Sequence, residues 1–475
     1  MSSLPEKQTA VRWYPPAYDI RVEEAPVLDI TDPDDAIVKV TLAGLCGSDL
    51  HVYRGSGLTK DHTIGHEFLG VVVKLGSNFG KQDQTRPALY ATLKVGDKVV
   101  APFTVNCGEC HVCRLGYTGR CPNGLLFGSP ALEGGQAQFI RVPKAGGTLY
   151  NLSDPSSFSL SLSSFTSSSP SGAGASSSLA EAISSISDSS LLLLSDILPT
   201  GVFAALQILN HPKVQPMLTG KPWPNALSRM TSHMPLPYTL AHPNPNDPQS
   251  QQGGGGKTLL REEDRVLNLA VVGLGPVGIC AIVSLLDMLS KLGEDSSGEI
   301  GSGVKYRIVA IDPNSSRREK VKEIYDILPA SCKSKGDFLV MDIDQAKQDV
   351  SESTSRIGCT GVLEIVGSPQ ALRLSYELVR PFGVVTSVGV HGAKEVPFKG
   401  VELYNKNVSF DFGRCPARAM FPMAVEVLVK YQNVFGPIGE STSLIDKIVP
   451  FKEAKQIYED FDKGRVGKVL FDPWM

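Results

Sequence analysis

The chain has 475 residues, 42% hydrophobic and 20% charged, with a formal net charge of -3 at pH 7. That balance describes a globular protein able to bury large cores, with two domains as the natural expectation. It excludes the strongly basic field that would hold a nucleic-acid backbone or an anionic membrane, so small-molecule chemistry is expected, with no nucleic-acid or membrane partner.

The opening MSSLPEKQTAVRWYPP has neither a basic leader nor an apolar core. No stretch approaches the roughly 20 apolar residues that span a bilayer, and a cytoplasmic location is the expectation. The first part is strand-rich: DAIVKVTLAGLCGSDLHVY, FLGVVVKLGSNF and VGDKVVAPF are β-branched runs punctuated by Gly, Asn and Asp, which predicts a small β-barrel. Two sets of metal ligands fall in this region. Cys107, Cys110, Cys113 and Cys121 follow Cys-x2-Cys-x2-Cys-x7-Cys spacing, the tetrahedral thiolate cage of a closed structural zinc. Cys46 and His66 begin a second, open set. Cys280, Cys332, Cys359 and Cys415 are expected as small apolar residues in packed segments, and His62 and His111 as solvated side chains.

From about 151 to 190 the composition collapses into Ser, and a second irregular stretch, rich in Pro, Asn and Gln, runs from about 211 to 262; both are expected to be surface insertions. Between them SLLLLSDILPTGVFAALQIL reads as a buried segment leading into a helix. After residue 264 the pattern alternates between apolar runs and helix-length segments, as in a parallel sheet covered on both faces. GLGPVG follows the strand LNLAVV and opens a helix, so Gly273, Gly275, Pro276, Val277 and Gly278 are candidate dinucleotide-binding residues. Asp312 ends the strand YRIVAID, where a carboxylate accepts from ribose hydroxyls and repels a 2′-phosphate, favouring NAD over NADP. Arg317 and Arg318 follow closely, either as phosphate acceptors or as a solvated helix start.

CGSDLH at 46–51, GHEFLGVVVKLG at 65–76, VGDKVV at 95–100, the four-cysteine lobe and GLGPVG together resemble the zinc-containing medium-chain dehydrogenases, the alcohol dehydrogenase family with a GroES-like catalytic domain and a Rossmann domain. The resemblance implies an α/β fold: a GroES-like β-barrel domain over 1–195, a Rossmann doubly wound parallel sheet over 196–403, and a return to the catalytic domain over 404–475. It implies two zinc ions per chain and reversible NAD-linked hydride transfer between an alcohol and its aldehyde or ketone.

By motif position Cys46 and His66 supply two ligands of the catalytic zinc. The usual third is a cysteine four residues ahead of a Thr-Gly pair; here Asp196 stands at that distance from Thr200-Gly201. A carboxylate is an acceptable zinc ligand, and the resemblance narrows to the branch that includes glutathione-independent formaldehyde dehydrogenase. The alternative for Asp196 is a helix N-cap. Glu67 is placed beside the metal, Ser48 and His51 on a proton path to solvent, and the backbone of Val388, Gly389 and Val390 against the nicotinamide carboxamide. The family also implies a homo-oligomer, dimer or tetramer. A polyol (sorbitol-type) or other secondary-alcohol dehydrogenase, and a non-catalytic interaction protein sharing the fold, are the competing readings.

Overall fold

The computed structural model describes residues 4–55, 57–154, 181–220, 223, 226, 265–292, 304–393 and 395–475. The catalytic half is built around strand Ala36–Gly44, which pairs along one edge with Phe68–Leu75. Its other edge is shared by Phe139–Val142 at Ala36–Lys39 and by Lys468–Asp472 at Ala43–Gly44, so the closing strand of the chain completes the sheet. The sheet extends through Lys98–Ala101 to Tyr150–Asn151 on one side and through Ile445–Pro450 on the other. A smaller antiparallel sheet of Asp19–Pro26, Lys7–Tyr14 and His62–Thr63 lies beside it. Alternate residues of these strands, with Val38, Val40, Phe68, Val72, Val99 and Phe471 fully buried, fill one apolar core together with Trp13.

In the second half six parallel strands stand in the order Gly336–Met341, Tyr306–Ile311, Leu267–Val272, Cys359–Glu364, Val379–Ser387, Ser409–Phe412. Leu267, Leu269 and Val271 enter one core while Ala270 and Val272 enter another on the opposite face. Burial on both faces is why these runs are continuously apolar. Helix Ile197–Asn210 crosses helix Pro276–Lys291 so closely that a Cβ at Gly201 would lie 2.5 Å from Cys280 Cβ. Cys280, Cys332, Cys359 and Cys415 are all buried, as expected. Among the described residues no single helix is long and apolar enough to cross a membrane.

Several expectations need correction. Strand Ser409–Phe412 is the edge of the six-stranded sheet, so the chain leaves the Rossmann domain after 412 and not at 404. The Ser-rich segment is shorter than its composition suggests. Residues 150–151 pair with Val99 and Val100, and Ile183, Ile186 and Leu191 are buried. The serines there serve the fold: Ser187 caps helix Asp188–Leu192, and the buried Ser190 Oγ donates to Phe435 O at 2.7 Å. Residues 155–180 lie outside the described residues. Likewise 211–220 is not insertion: it holds helix Gln215–Thr219, ended by left-handed Gly220, with Val214 and Met217 buried; 227–264 and 293–303 lie outside the described residues. His62 is buried, packed against Trp13, with Nδ1 near Lys60 O and Nε2 near Gly128 O. His111 is exposed.

A charged node ties the barrel's loops to the start of its central strand. Asp34 accepts from Asn78 Nδ2 at 2.7 Å, Arg86 Nη2 at 2.8 Å and Lys144 Nζ at 3.1 Å. Burial alone would raise this carboxyl, but Arg86, Asn78 and Lys144 outweigh it and hold it at about 2. Because the folded value is depressed, the node's stabilisation is present above the unfolded carboxylate range and is lost as pH falls toward 2. Asp34→Asn is expected to lower stability by about 2 kcal/mol at pH 7. Thermal unfolding from pH 7 down to pH 3 should show the gap to wild type narrowing below about pH 4.

Candidate active site

Three elements deliver three donor atoms to one point. Cys46 lies two residues past strand Ala36–Gly44, and His66 two residues before strand Phe68–Leu75, whose pairing fixes both backbones. Asp196 sits where the segment Asp188–Ser195 meets helix Ile197–Asn210 at a bend of 51°. It occupies the N-cap position of that helix but makes no side-chain capping bond. Its carboxylate turns to the metal-type donors instead: Asp196 Oδ2 lies 3.5 Å from Cys46 Sγ and 3.1 Å from His66 Nε2. With Glu67, the ligand atoms of these residues all lie within 4.8 Å of one another.

Neighbouring groups hold each donor in place. Asp49 Oδ1 accepts from His66 Nδ1 at 2.9 Å, leaving Nε2 facing the cluster, while Asp49 Oδ2 accepts from Cys46 N at 3.0 Å. Thr200 Oγ1 donates to Asp196 Oδ1 at 3.0 Å, so the other carboxylate oxygen points at Cys46 and His66. Ser48 Oγ lies 3.1 Å from His66 Nε2. Glu67 folds over Gly44, where a Cβ would fall 1.8 Å from Oε2, and that oxygen is ion-paired with Lys468 Nζ. Glu67 Oε1, also buried, has no hydrogen-bond partner among the described residues. Lys468 is itself buried and donates to Leu45 O at 3.1 Å.

The electrostatics suit a bound cation. Burial, then Asp196 and Glu67, push the Cys46 thiol up. Burial opposes charge on His66, yet Asp49, Asp196 and Cys46 overcome it and hold the imidazole well above its ordinary value. Burial would raise Asp196 too, but His66, Lys468 and Thr200 hold it low. A buried thiol, imidazole and carboxylate, with an orphaned carboxylate oxygen beside them, match the mixed S, N and O donors that zinc accepts.

The four cysteines form a separate cluster whose sulfurs also lie within 4.8 Å of one another. Successive backbone amides point at the sulfurs: Cys110 N to Cys107 Sγ and Cys113 N to Cys110 Sγ, each 3.4 Å, and Cys107 N to Cys121 Sγ at 3.5 Å. Burial raises the Cys107 thiol, but the amides of Glu109 and Cys110 and the Cys121 contact outweigh it and bring it down to about 7. Such a set fits a closed thiolate site, and it stands on the lobe rather than in the cleft.

The cofactor half shows why each glycine of GLGPVG is glycine. Gly273 has φ +100°, and a Cβ at Gly278 would lie 2.0 Å from Gly273 O. A Cβ at Gly275 would meet nothing within 4 Å, so the backbone there borders open space at the start of helix Pro276–Lys291. Pro276 carries no N–H and Ile279 N donates to Gly275 O at 3.0 Å, which leaves the Val277 and Gly278 amides at the helix N-terminus, an end that suits an anion. Val277 is half-buried against the domain core. Asp312 ends the second strand, buried, its Oδ2 accepting from Leu274 N at 2.9 Å and its Oδ1 from Asn314 N at 2.8 Å. Arg317 Nη1 lies 3.5 Å from Asp312 Oδ2, and Arg318 donates to Asp312 O and Pro313 O. Val388, Gly389 and Val390 follow strand Val379–Ser387, and Gly389 packs on Gly367, where a Cβ would lie 2.2 Å from Gly367 N. His51 is half-buried in the short helix Asp49–Tyr53.

Sequence reading missed Asp49, Thr200 and Lys468. Asp49 and Thr200 lay inside the quoted motifs but served only as spacers. Lys468 carried no local signal, being 401 residues from its partner Glu67.

The chain matches the alcohol dehydrogenase GroES-like domain over residues 32–154 and the zinc-binding dehydrogenase domain over 301–430. It is 31% identical over 470 residues to zinc-type alcohol dehydrogenase B of Aspergillus flavus, covering 99% of this chain and 82% of that one. A medium chain reductase/dehydrogenase of an Acremonium species is 30% identical over 84% of this chain and 99% of its own. Among solved structures, an alcohol dehydrogenase from Thermus sp. ATN1 superposes with a TM-score of 0.62 at 25% identity, covering 98% and 99% of the two chains. Formaldehyde dismutase of Pseudomonas putida is 31% identical over 38% of this chain and 41% of its own. The chain belongs to the zinc-containing medium-chain dehydrogenase/reductase family, whose members are oxidoreductases acting on CH–OH groups with zinc and a nicotinamide cofactor.

Because Lys468 neutralises Glu67 in the interior, Lys468→Met leaves a buried uncompensated carboxylate and is expected to cost about 3 kcal/mol. Adding Glu67→Gln should recover part of that loss. Denaturant unfolding of the single and double variants checks both.

Proposed function

We propose that the protein is an NAD-linked alcohol dehydrogenase with a Cys46/His66/Asp196 catalytic zinc and a Cys107/Cys110/Cys113/Cys121 structural zinc. The observation that carries this is the convergence of Cys46 Sγ, His66 Nε2 and Asp196 Oδ2 in a buried site at the edge of the nucleotide-binding domain. When bound, the zinc supplies Lewis acidity toward an alcohol oxygen and the nicotinamide accepts hydride from its carbon.

The remaining work belongs to side chains. Ser48 Oγ, beside His66, is placed to hydrogen-bond the substrate hydroxyl and take its proton. His51, one helical turn on, carries the proton toward solvent; burial and Arg54 hold its imidazole below the ordinary value, so it is neutral at pH 7 and free to accept. Glu67 stays in its ion pair with Lys468, beside the metal rather than as a standing ligand. Gly273, Gly275, Pro276, Val277 and Gly278 take the pyrophosphate, Asp312 the adenosine ribose with Arg317 alongside, and the backbone of Val388–Val390 the carboxamide. The proposed Asp ligand in SDILPTG supports a resemblance to the branch that includes glutathione-independent formaldehyde dehydrogenase, and small primary alcohols and their aldehydes are the proposed substrates. A homo-oligomer is the expected assembly.

Two outcomes test this reading. A panel of primary alcohols, formaldehyde and polyols with NAD and NADP should show turnover with NAD at least tenfold above NADP. Asp312→Ala, by freeing Arg317 for a 2′-phosphate, should narrow that ratio at least tenfold. No turnover of any alcohol, or an NADP preference in the wild type, contradicts it. Thr200→Val should weaken retention of one of two zinc ions by 10–100-fold in chelator competition, with the other unaffected.

A further inference from the structure

Glu364 is a fully buried carboxylate that the proposed chemistry does not use. It closes strand Cys359–Glu364, paired with Val272 of the adjacent strand immediately before the glycine turn. Its oxygens are saturated. Oε1 accepts from Val366 N at 2.9 Å and Gly367 N at 2.8 Å; Oε2 accepts from Ser387 Oγ at 2.6 Å and lies 3.1 Å from His391 Nε2. Ser387 Oγ and His391 Nε2 are 2.7 Å apart.

The hydrogens can be assigned. Ser387 has one proton, and the short contact gives it to Glu364, so Ser387 Oγ must accept from His391. His391 therefore carries its hydrogen on Nε2, which also satisfies the contact with Glu364; the opposite tautomer would set a lone pair against a carboxylate oxygen. The result is an ordered chain from His391 through Ser387 to Glu364.

These contacts join two loops at the carboxyl ends of neighbouring parallel strands, where doubly wound sheets bind their ligands. Glu364 fixes the amides of 366–367, and Ser387 and His391 bracket Val388–Val390. The loops touch backbone to backbone: Gly367 has φ +79°, and a Cβ there would lie 2.5 Å from Val390 N. Val366 in turn packs over the glycine turn, 2.6 Å from a Cβ built on Gly273. Phe412 of the edge strand backs the His391 ring, with centroids 4.8 Å apart.

We propose that His391 is a positioning residue for the nicotinamide cofactor, acting through Ser387 and Glu364 to hold the 388–390 backbone at a fixed height over the glycine turn. The proposal rests on the assignment of that backbone to the carboxamide. The imidazole is 19% exposed, so it can be replaced without opening the core.

The test uses the full chain and NADH, whose affinity is read directly by fluorescence titration beside KM and kcat. His391→Ala is expected to weaken NADH binding and raise KM for NAD about tenfold, with kcat changed less than threefold and zinc content and melting temperature held. His391→Gln, which can return a donor near the Nε2 position, should restore binding to within about threefold. Unchanged NADH affinity in His391→Ala, alongside active wild type, overturns the proposal and leaves the dehydrogenase reading standing. An equal loss in the Ala and Gln variants also overturns it, since the donor would then be irrelevant. A wild type that binds no nicotinamide dinucleotide removes both.

Discussion

The structure depends on a carboxylate and a thiol held within 3.5 Å in a buried place. Burial and the neighbouring carboxylates hold the thiol in its protonated form, and a cation that displaced the proton would relieve the repulsion between thiolate and carboxylate, so the arrangement is suited to a cation. The groups around the site hold that arrangement in place. His66 is turned by Asp49 so that Nε2 faces the cluster, Thr200 turns Asp196, and Lys468 offsets the further charge of Glu67. The barrel supplies the first two donors on paired strands. Asp196 arrives from the bend that leads into the nucleotide-binding domain, so the proposed metal site is also where the two halves of the chain are joined.

The same economy shapes the cofactor side. Glycine occurs where backbone must meet backbone or leave space: Gly278 against Gly273, Gly389 against Gly367, Gly275 open to the cleft. A side chain at any of these would fill the space or displace a loop. Glu364, Ser387 and His391 then fix by hydrogen bonds what the glycines permit by size.

Much of this was legible in sequence because the chemistry is local. Thiolate spacing in the lobe, the glycines after a strand, and the Cys46 and His66 motifs each lie within a few residues. Asp196 was reached only through register, and the N-cap alternative fitted the same letters; the residue does occupy the N-cap position, but its side chain makes no capping bond and instead contacts Cys46 and His66. What sequence did not carry was pairing at a distance. Lys468 reads as one cation among many in KGRVGKVLFDP until the last strand docks beside Ala43–Gly44. Composition also misled: Ser187 caps a helix and the buried Ser190 donates to Phe435 O, so a polar run there is part of the folded structure. The edge strand Ser409–Phe412, four residues with a polar start, was too short to claim by pattern and shifted the domain boundary.

Anomalous diffraction at the zinc edge from crystals of the purified protein tests the central claim most directly. The account predicts two peaks per chain, one within bonding distance of Cys46 Sγ, His66 Nε2 and an Asp196 oxygen, the other inside the four-cysteine lobe. A catalytic peak bonded to Glu67 in place of Asp196, or a filled lobe with no metal at Cys46 and His66, would contradict it.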